Sequence, residues 1–465
     1  MIRSILSTLG NCVKIPELKS RILFTVFVLA VCRLTAFIVI PGINGSALAQ
    51  YFNDNAQNSG GLLVMYNTFA GGALGNCAVS SLGIMPYISA TIIIQLLTAV
   101  LPRLSKLARE EGGRAQIIKY GRYLTVLLCI FQGAYFASSW LHPENAFHNF
   151  KGHLVLTDNH FMYYFVTVTV MTAGTMLLMW LGEQITERGI GNGVSLIITV
   201  GILARLPNAV QGLRDMFSAK DGMEPTHHWM GTGLVLLILL VLVIAGVIAI
   251  TQAQRKIPVQ YAQRAVGRKV YAGGTSYMPL KVNYAGVMPI IFAQSILMFP
   301  HTILLWLADS VFPKLAPVKD LLTTIAIQLD YGTFWYLMVY SLMILFFSYF
   351  WVATQFNEIQ IADDLKKNGG YIPGVRPGQM TCDYLHNAMS RITLAGALFL
   401  TVIATIPIIL AKQMHVDQNV ASFFGGTSIL IAVGVLLDTT RQVESHLLMR
   451  HYDGFLKKGR VRGRF

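Results

Sequence analysis

Charge is scarce in this sequence. Only 12% of its 465 residues are Asp, Glu, Lys or Arg while 54% are apolar, and a soluble globular domain carries about twice that charged fraction. The imbalance excludes an ordinary water-solvated fold and points to a chain solvated by lipid. Five cysteines (Cys12, Cys32, Cys77, Cys129 and Cys382) are odd in number and show no CxxC spacing, so they suit no disulfide framework. Cys32 and Cys129 fall in apolar stretches, where a thiol acts as a small packing residue. There is no Walker A sequence and no HExxH, and no paired Asp or Ser/His set lies inside the apolar spans. An intramembrane protease or lipid transferase is therefore left without its reactive groups, and energy for any transport must come from a partner. His142, His148, His153 and His160 share one outer loop, but their spacing matches no compact zinc pattern. No cleavable signal peptide is expected. The run Ile22–Ile40 is long enough to span and ends in Pro-Gly, without a small-residue cleavage site.

What the sequence does have is long apolar runs. Gly231–Ile250 carries no charge, and about twenty such residues in a helix cross a bilayer. Ten spans are expected, near 22–40, 80–101, 120–140, 161–181, 190–206, 231–251, 286–308, 333–353, 392–411 and 423–441. Some are impure. The second holds Gln95, and the fifth is short and begins with GIGNG, Gly189–Gly193. Impurity of this kind belongs to helices that face other helices or an aqueous cavity. GIGNG superficially matches a dinucleotide loop, but it follows a membrane span and not a strand, which rules that reading out. Arg33 lies inside the first span and is expected to face the bundle interior or a polar partner.

The formal charge of +14 is not a nucleic-acid footprint, because no soluble domain carries it. Its distribution instead sets orientation. One set of loops and ends holds 28 Lys and Arg against 7 on the other, so both termini are placed in the cytoplasm. The expected layout is a cytoplasmic N-terminus at 1–21, a first half at 22–206, an outer connection at 207–230, a second half at 231–441 and a basic tail at 442–465. An odd-numbered half must be inverted to keep both termini on one side. Within the second half, 252–285 and 354–391 are long, polar cytoplasmic connections, and loops of that length are uncommon unless functional. They either dock a large cytosolic partner rich in phosphate or carboxylate or merely fix topology. The segment Leu62–Cys77 (LLVMYNTFAGGALGNC) is apolar, Gly-rich and free of Lys and Arg. Too short to cross, it is either a surface helix or a re-entrant segment buried in protein. Composition leaves both open.

Five blocks carry more than their physics: LGIMPYISATIIIQLLT (82–98), MWLGEQITERGIGNGVS (179–195), YMPLKVNYAGVMPIIFAQSI (277–296), IADDLKKNGGYIPGVRPG (361–378) and FGGTSILIAVGVLLD (424–438). They closely resemble the SecY family, the channel subunit of the bacterial Sec translocase, and the likeness runs from about Leu18 to Lys458. The resemblance implies an all-α polytopic membrane protein of ten transmembrane helices, in two inverted five-helix halves around an hourglass pore. It implies a protein-conducting channel in the bacterial inner membrane, passive, with no cofactor. The pore ring maps onto Ile84, Ile88, Val194, Ile198, Ile291 and Ile431, with Val194 departing from the usual isoleucine and suggesting a slightly looser seal. A narrow apolar ring offers nothing to replace an ion's hydration shell. The plug maps onto Met65–Cys77, with Met65, Phe69, Gly71, Gly72 and Leu74 as its candidate residues, which decides the choice left open above. A lateral gate between the second and seventh helices takes Ser89, Thr91 and Gln95 on one side and Gln294 and Ser295 on the other. Arg255, Lys256 and Arg376 fall at docking positions for the SecA motor ATPase or the translating ribosome. Further implied partners are SecE-like and SecG-like membrane subunits, signal sequences, unfolded preproteins, membrane lipid and an insertase such as YidC. A secondary transporter of a small solute is the competing reading. It would place charged or broken-helix sites at the midplane, whereas the mapped waist is aliphatic.

Overall fold

The computed structural model describes residues 16–54, 62–110, 112–141, 143, 154–157, 159–217, 229–261, 264–266, 269–271, 274–308, 316–413 and 427–458. Cys12, His142, His148, His153, residues 218–228 of the outer connection and the end of the basic tail lie outside them. The chain divides into two compact units, residues 1–223 with 417–420 and 435–465, and residues 224–416 with 421–434.

The first unit holds helices α1 (Pro16–Leu34), α2 (Gly45–Asp54), α3 (Leu62–Phe69), α4 (Met85–Val100), α5 (Pro102–Arg109), α6 (Gly113–Leu141), α7 (His160–Arg188), α8 (Gly193–Leu203) and α9 (Leu206–Phe217). Helix α7 is the hub, packing against α1, α4, α6 and α8. Small residues let it approach so closely. A Cβ on Gly174 of α7 would stand 2.2 Å from the Val79 carbonyl oxygen, and one on Gly193 of α8 would stand 1.9 Å from that of Gly182. Pro102 ends α4, because the residue before a proline is pushed out of the helical region. Leu101 is extended (φ −90°, ψ 116°), and α5 leaves α4 at a bend of 103°.

GIGNG is the turn between α7 and α8, and four of its five backbone N–H groups have a hydrogen-bond partner close by: those of Gly189, Ile190, Gly191 and Gly193. The Gly189 N–H donates to the Ile185 carbonyl at 2.8 Å. Ile190 N–H donates to Thr25 Oγ1 at 3.1 Å, Gly191 N–H to Gln442 Oε1 at 2.9 Å and Gly193 N–H to Thr186 Oγ1 at 2.9 Å. Asn192 caps α8 by accepting from the Ser195 N–H. Broken backbone at membrane depth is tolerated only where neighbours satisfy it in this way.

The second unit holds α10 (Trp229–Gln252), strands β1 (Gln254–Tyr261), β2 (Arg264–Val266), β3 (Lys269–Tyr271) and β4 (Thr275–Lys281), helices α11 (Met288–Trp306), α12 (Ala316–Gln328), α13 (Phe334–Gln355) and α14 (Glu358–Lys367), strand β5 (Gly370–Tyr371) and α15 (Gln379–Gln413). Helix α16 (Thr427–Lys458) gives its residues up to 434 to the second unit and the rest to the first. Helix α13 packs against α11 and α15, and α10 against α15. Leu234, Leu237, Ile238, Val241 and Leu242 of α10 are all more than half exposed. In water such a patch would be an aggregation liability; in lipid it is solvated.

Among the described residues, six helical stretches are long and apolar enough to cross a membrane, or seven if the bent α4–α5 pair counts as one. They answer to six of the expected spans, with the bent pair on a seventh. The expected spans near 22–40, 286–308 and 423–441 fall on helices that are less simple. Helix α1 carries Glu17, Lys19, Arg21 and Arg33, α11 contains Pro300, and α16 carries Asp438 and Arg441.

Gly174→Val should lower the thermal midpoint of the detergent-purified protein by several degrees, since overpacking costs on the order of 1–3 kcal/mol. Gly121→Ala, where an added Cβ meets nothing within 4 Å, should leave it unchanged. Equal midpoints for the two variants would contradict the close α7 approach.

Candidate pore ring, plug and docking surface

The segment expected to plug the pore is embedded in the first unit and does not lie on its surface. Tyr66, Asn67, Thr68 and Phe69 on α3 are buried, as are Ala73, Leu74 and Cys77 after it. Met65 lies on the same helix, with its side chain outside the described residues. After α3 the chain turns repeatedly, and Gly71 (φ 66°) and Gly72 (φ 88°) take the left-handed conformations those turns require. Asn67 organises the turns by receiving the Gly75 N–H on its side chain at 3.0 Å and the Gly72 N–H on its carbonyl at 2.7 Å. Tyr66 Oη donates to the Leu82 carbonyl at 2.8 Å, and its ring lies 5.2 Å from that of Phe136 on α6. The far end is tied by a short bridge, with Ile40 N–H on the Cys77 carbonyl at 2.9 Å and Val79 N–H on that of Ile38 at 2.8 Å.

Two arginines reach this segment. Arg33 turns inward as expected, its Nη1 donating to the Gly71 carbonyl at 2.6 Å and its guanidinium lying 5.3 Å from the centre of the Phe37 ring. Arg205, just past α8, donates from Nη1 to Thr68 Oγ1 at 3.3 Å. In the sequence Arg205 counts only as one of the seven Lys and Arg on the sparsely charged side. Its one signal was a lone arginine at the end of an apolar span.

Of the candidate ring residues in the first unit, Ile84 is the N-cap of α4 and Ile88 lies one turn on, while Val194 and Ile198 occupy successive turns of α8. Ile84, Ile88 and Ile198 are buried, and Val194 is half-buried with one methyl near Gly182 of α7. Ile84 shares a cavity of about 30 Å³ with Arg33, Phe69, Ala70 and Gly201. The structure thus brings one candidate ring residue and the candidate plug segment to one place. In the second unit Ile291 on α11 and Ile431 on α16 are both buried.

The gate candidates are mostly engaged within their own units. Ser89, Gln294 and Ser295 are buried, and Gln95 is exposed. Thr91 donates to the Ile88 carbonyl and Ser295 to the Ile291 carbonyl, both at 2.7 Å, so these hydroxyls are satisfied by their own helices. Gln294 interacts with Tyr340 of α13.

The two long connections of the second unit are not independent loops. Strand β1 pairs antiparallel with β4 from Gln254↔Lys281 to Gln260↔Thr275, and with β5 through Gln260↔Tyr371 and Tyr261↔Gly370. One three-stranded sheet, ordered β4-β1-β5, therefore joins 252–285 to 354–391. Ile257, Leu280, Ile372, Phe356 and Leu385 form its apolar core. Arg255 and Lys256 are exposed on β1, but adjacent strand residues project to opposite faces, so they do not act as one flat patch. Arg376 is exposed in the turn after β5, where its carbonyl accepts Thr381 Oγ1 at 3.0 Å and Gly374 and Gly378 take positive φ. The sequence showed polar, Pro- and Gly-containing stretches; strand pairing between segments a hundred residues apart leaves no local mark.

A family model described as SecY matches residues 78–440. The protein translocase subunit SecY of Chlamydia muridarum is 43% identical over 465 residues, covering 99% of this chain and all of its own. A solved SecY structure, whose plug domain is described as stabilising the closed state of the translocation channel and maintaining a membrane seal, superposes with a TM-score of 0.61 at 19% identity over 91% of both chains. Canine Sec61 in a ribosome-channel complex from the endoplasmic reticulum superposes at 0.56 and 17% identity, also over 91% of both chains. At those identities the two superpositions speak for the fold alone. The family model spans well over half of the sequence, the Chlamydia relative aligns along nearly all of it, and this chain belongs to the SecY family.

Proposed function

We propose that this chain is the channel subunit of a bacterial protein translocase in the inner membrane, moving unfolded polypeptides across and releasing hydrophobic segments sideways into lipid. The observation that carries the reading is the buried, glycine-turned segment at 65–77, packed beside Ile84 and held by hydrogen bonds to helices around it. A solute transporter has no use for such a stopper. Its substrate site would also need free polar groups at the midplane, and the mapped ring is aliphatic.

In this reading ten helices in two inverted halves enclose the pore, with both termini in the cytoplasm. Ile84, Ile88, Val194, Ile198, Ile291 and Ile431 form a gasket that dewets when empty and yields to a threaded peptide. The gate lies between α4 and α11. Polar pairs between membrane helices contribute only about 0.6–2 kcal/mol each, and Thr91 and Ser295 hold internal hydrogen bonds, so a hydrophobic signal helix can displace the contact. Binding the open state better than the closed one is sufficient to shift the equilibrium.

The chain acts passively, and its energy comes from a motor ATPase of the SecA kind or a translating ribosome. Both dock on the sheet β4-β1-β5 and the Arg376 turn. SecE-like and SecG-like subunits and a YidC-like insertase complete the assembly. Arg376 is the strongest docking candidate because a guanidinium engages carboxylate or phosphate bidentately and its turn is fixed from behind by Thr381.

Replacing Ile198 and Ile291 together by Gly should raise resting ion conductance in a planar bilayer by an order of magnitude or more. Unchanged conductance would contradict the gasket. Arg376→Glu should cut preprotein transport into vesicles about tenfold, since a charge-assisted hydrogen bond is worth about 1.5–3 kcal/mol and each 1.4 kcal/mol is about tenfold. Membrane levels of the protein should not change. Full transport by that variant would remove Arg376 from the docking site.

A further inference from the structure

We infer that Arg33 and Arg205 form a two-armed cationic latch that holds the plug closed, with Arg33 as the stronger arm; the inference rests on reading residues 65–77 as the plug. A guanidinium in an apolar bundle needs acceptors, and the described residues offer no carboxylate to either arginine. Their acceptors are the plug's own groups. Arg33 Nη1 donates to the Gly71 carbonyl at 2.6 Å and Arg205 Nη1 to Thr68 Oγ1 at 3.3 Å. The first is short for an N–H···O bond and the second long, which ranks the arms.

The local backbone is built for these contacts. Gly71 and Gly72 are left-handed, so the chain leaves its helix just where a carbonyl can turn toward Arg33. A Cβ on Gly71 would stand 2.6 Å from Arg33 Nη1 and 3.0 Å from the Gly201 Cα of α8. Only glycine lets plug, helix and guanidinium lie this close. Arg205 crosses Gly72, with Nε 3.7 Å from the corresponding Cβ position. Apolar burial alone would hold Phe69 and Leu74 in place without direction. The two guanidiniums add a directional hold that breaks when the plug leaves, because their acceptors depart with it. Charge-assisted hydrogen bonds are roughly twice as strong as neutral ones, so the latch sets a threshold for opening that aliphatic packing does not.

The test uses the assembled translocase in proteoliposomes, with Cys12, Cys32 and Cys382 replaced and the native Cys77 and Cys129 kept. Both retained thiols are fully buried, Cys77 on the plug and Cys129 on α6. The rate at which a membrane-impermeant maleimide labels each is measured at rest and with a stalled, signal-bearing preprotein engaged. Arg33→Gln should speed resting Cys77 labelling about tenfold and Arg205→Gln about threefold, with Cys129 unchanged. Arg33→Lys, which keeps a charged donor, should restore most of the slow rate. Unchanged Cys77 labelling in Arg33→Gln overturns the latch, and so does an equal rise at Cys77 and Cys129, which reports general loosening. The engaged wild type separates the two ideas. If its Cys77 rate does not rise, the plug reading itself fails; if it rises while Arg33→Gln has no effect at rest, only the latch fails.

Discussion

Backbone that leaves its helix inside a membrane bundle must find hydrogen-bond partners in the protein, because lipid supplies none. Much of the architecture of the first unit follows from that requirement. The GIGNG turn takes its partners from Thr25, Thr186 and Gln442, so the start of α8, and with it Val194 and Ile198, is fixed by side chains from three helices. The segment at 65–77 is held from within by Asn67 and from outside by the Leu82 carbonyl on Tyr66, Arg33 on the Gly71 carbonyl and Arg205 on Thr68. Each break in helicity is therefore also a point of attachment.

Those attachments are of two kinds, close backbone packing and side-chain hydrogen bonds. Backbone-to-backbone approach at Gly174 and Gly193 leaves α7 and α8 little freedom, since close-packed interiors respond to a single methylene. The segment at 65–77 is joined to the surrounding helices by side-chain bonds, and the chain just after it pairs through the short bridge between Val39 and Ala78. In the proposed channel an aliphatic ring has no geometry to lose when it is stretched, whereas the segment at 65–77 is held by directed hydrogen bonds. In the second unit β5 ties the start of the Arg376 turn to the β1–β4 pair.

Much of this was legible in the sequence. Uncharged runs such as Gly231–Ile250 announce their helices by length alone, and the absence of Lys and Arg from 41–79 predicts an outer loop, while composition leaves Leu62–Cys77 open between a surface helix and a re-entrant segment. Residues whose role depends on tertiary contact were not legible from physics. Nothing in the pattern distinguishes Ile88 from any other isoleucine of an apolar helix, and family resemblance alone named it. Arg205 and Asn67 were overlooked because the partner of the first is a hydroxyl 137 residues away, on Thr68, and those of the second are backbone N–H groups in irregular turns. The sheet linking the two long connections of the second unit was hidden for a similar reason, since β5 is two residues long and its partner lies more than a hundred residues away. The less simple spans lack the length or purity that hydropathy detects, through Pro102 beyond α4, Pro300 in α11 and the charges of α1.

The central claim is that the aliphatic ring encloses a polypeptide in transit. Its most direct measurement places a photo-crosslinking residue at position 88, inside the buried face of α4, and flashes the translocase with a radiolabelled preprotein stalled midway. The account predicts an adduct between position 88 and the stalled chain that disappears when the preprotein is released, with none from an exposed position such as 237 on α10. Crosslinks from position 88 to lipid alone, whether or not a chain is engaged, would contradict it.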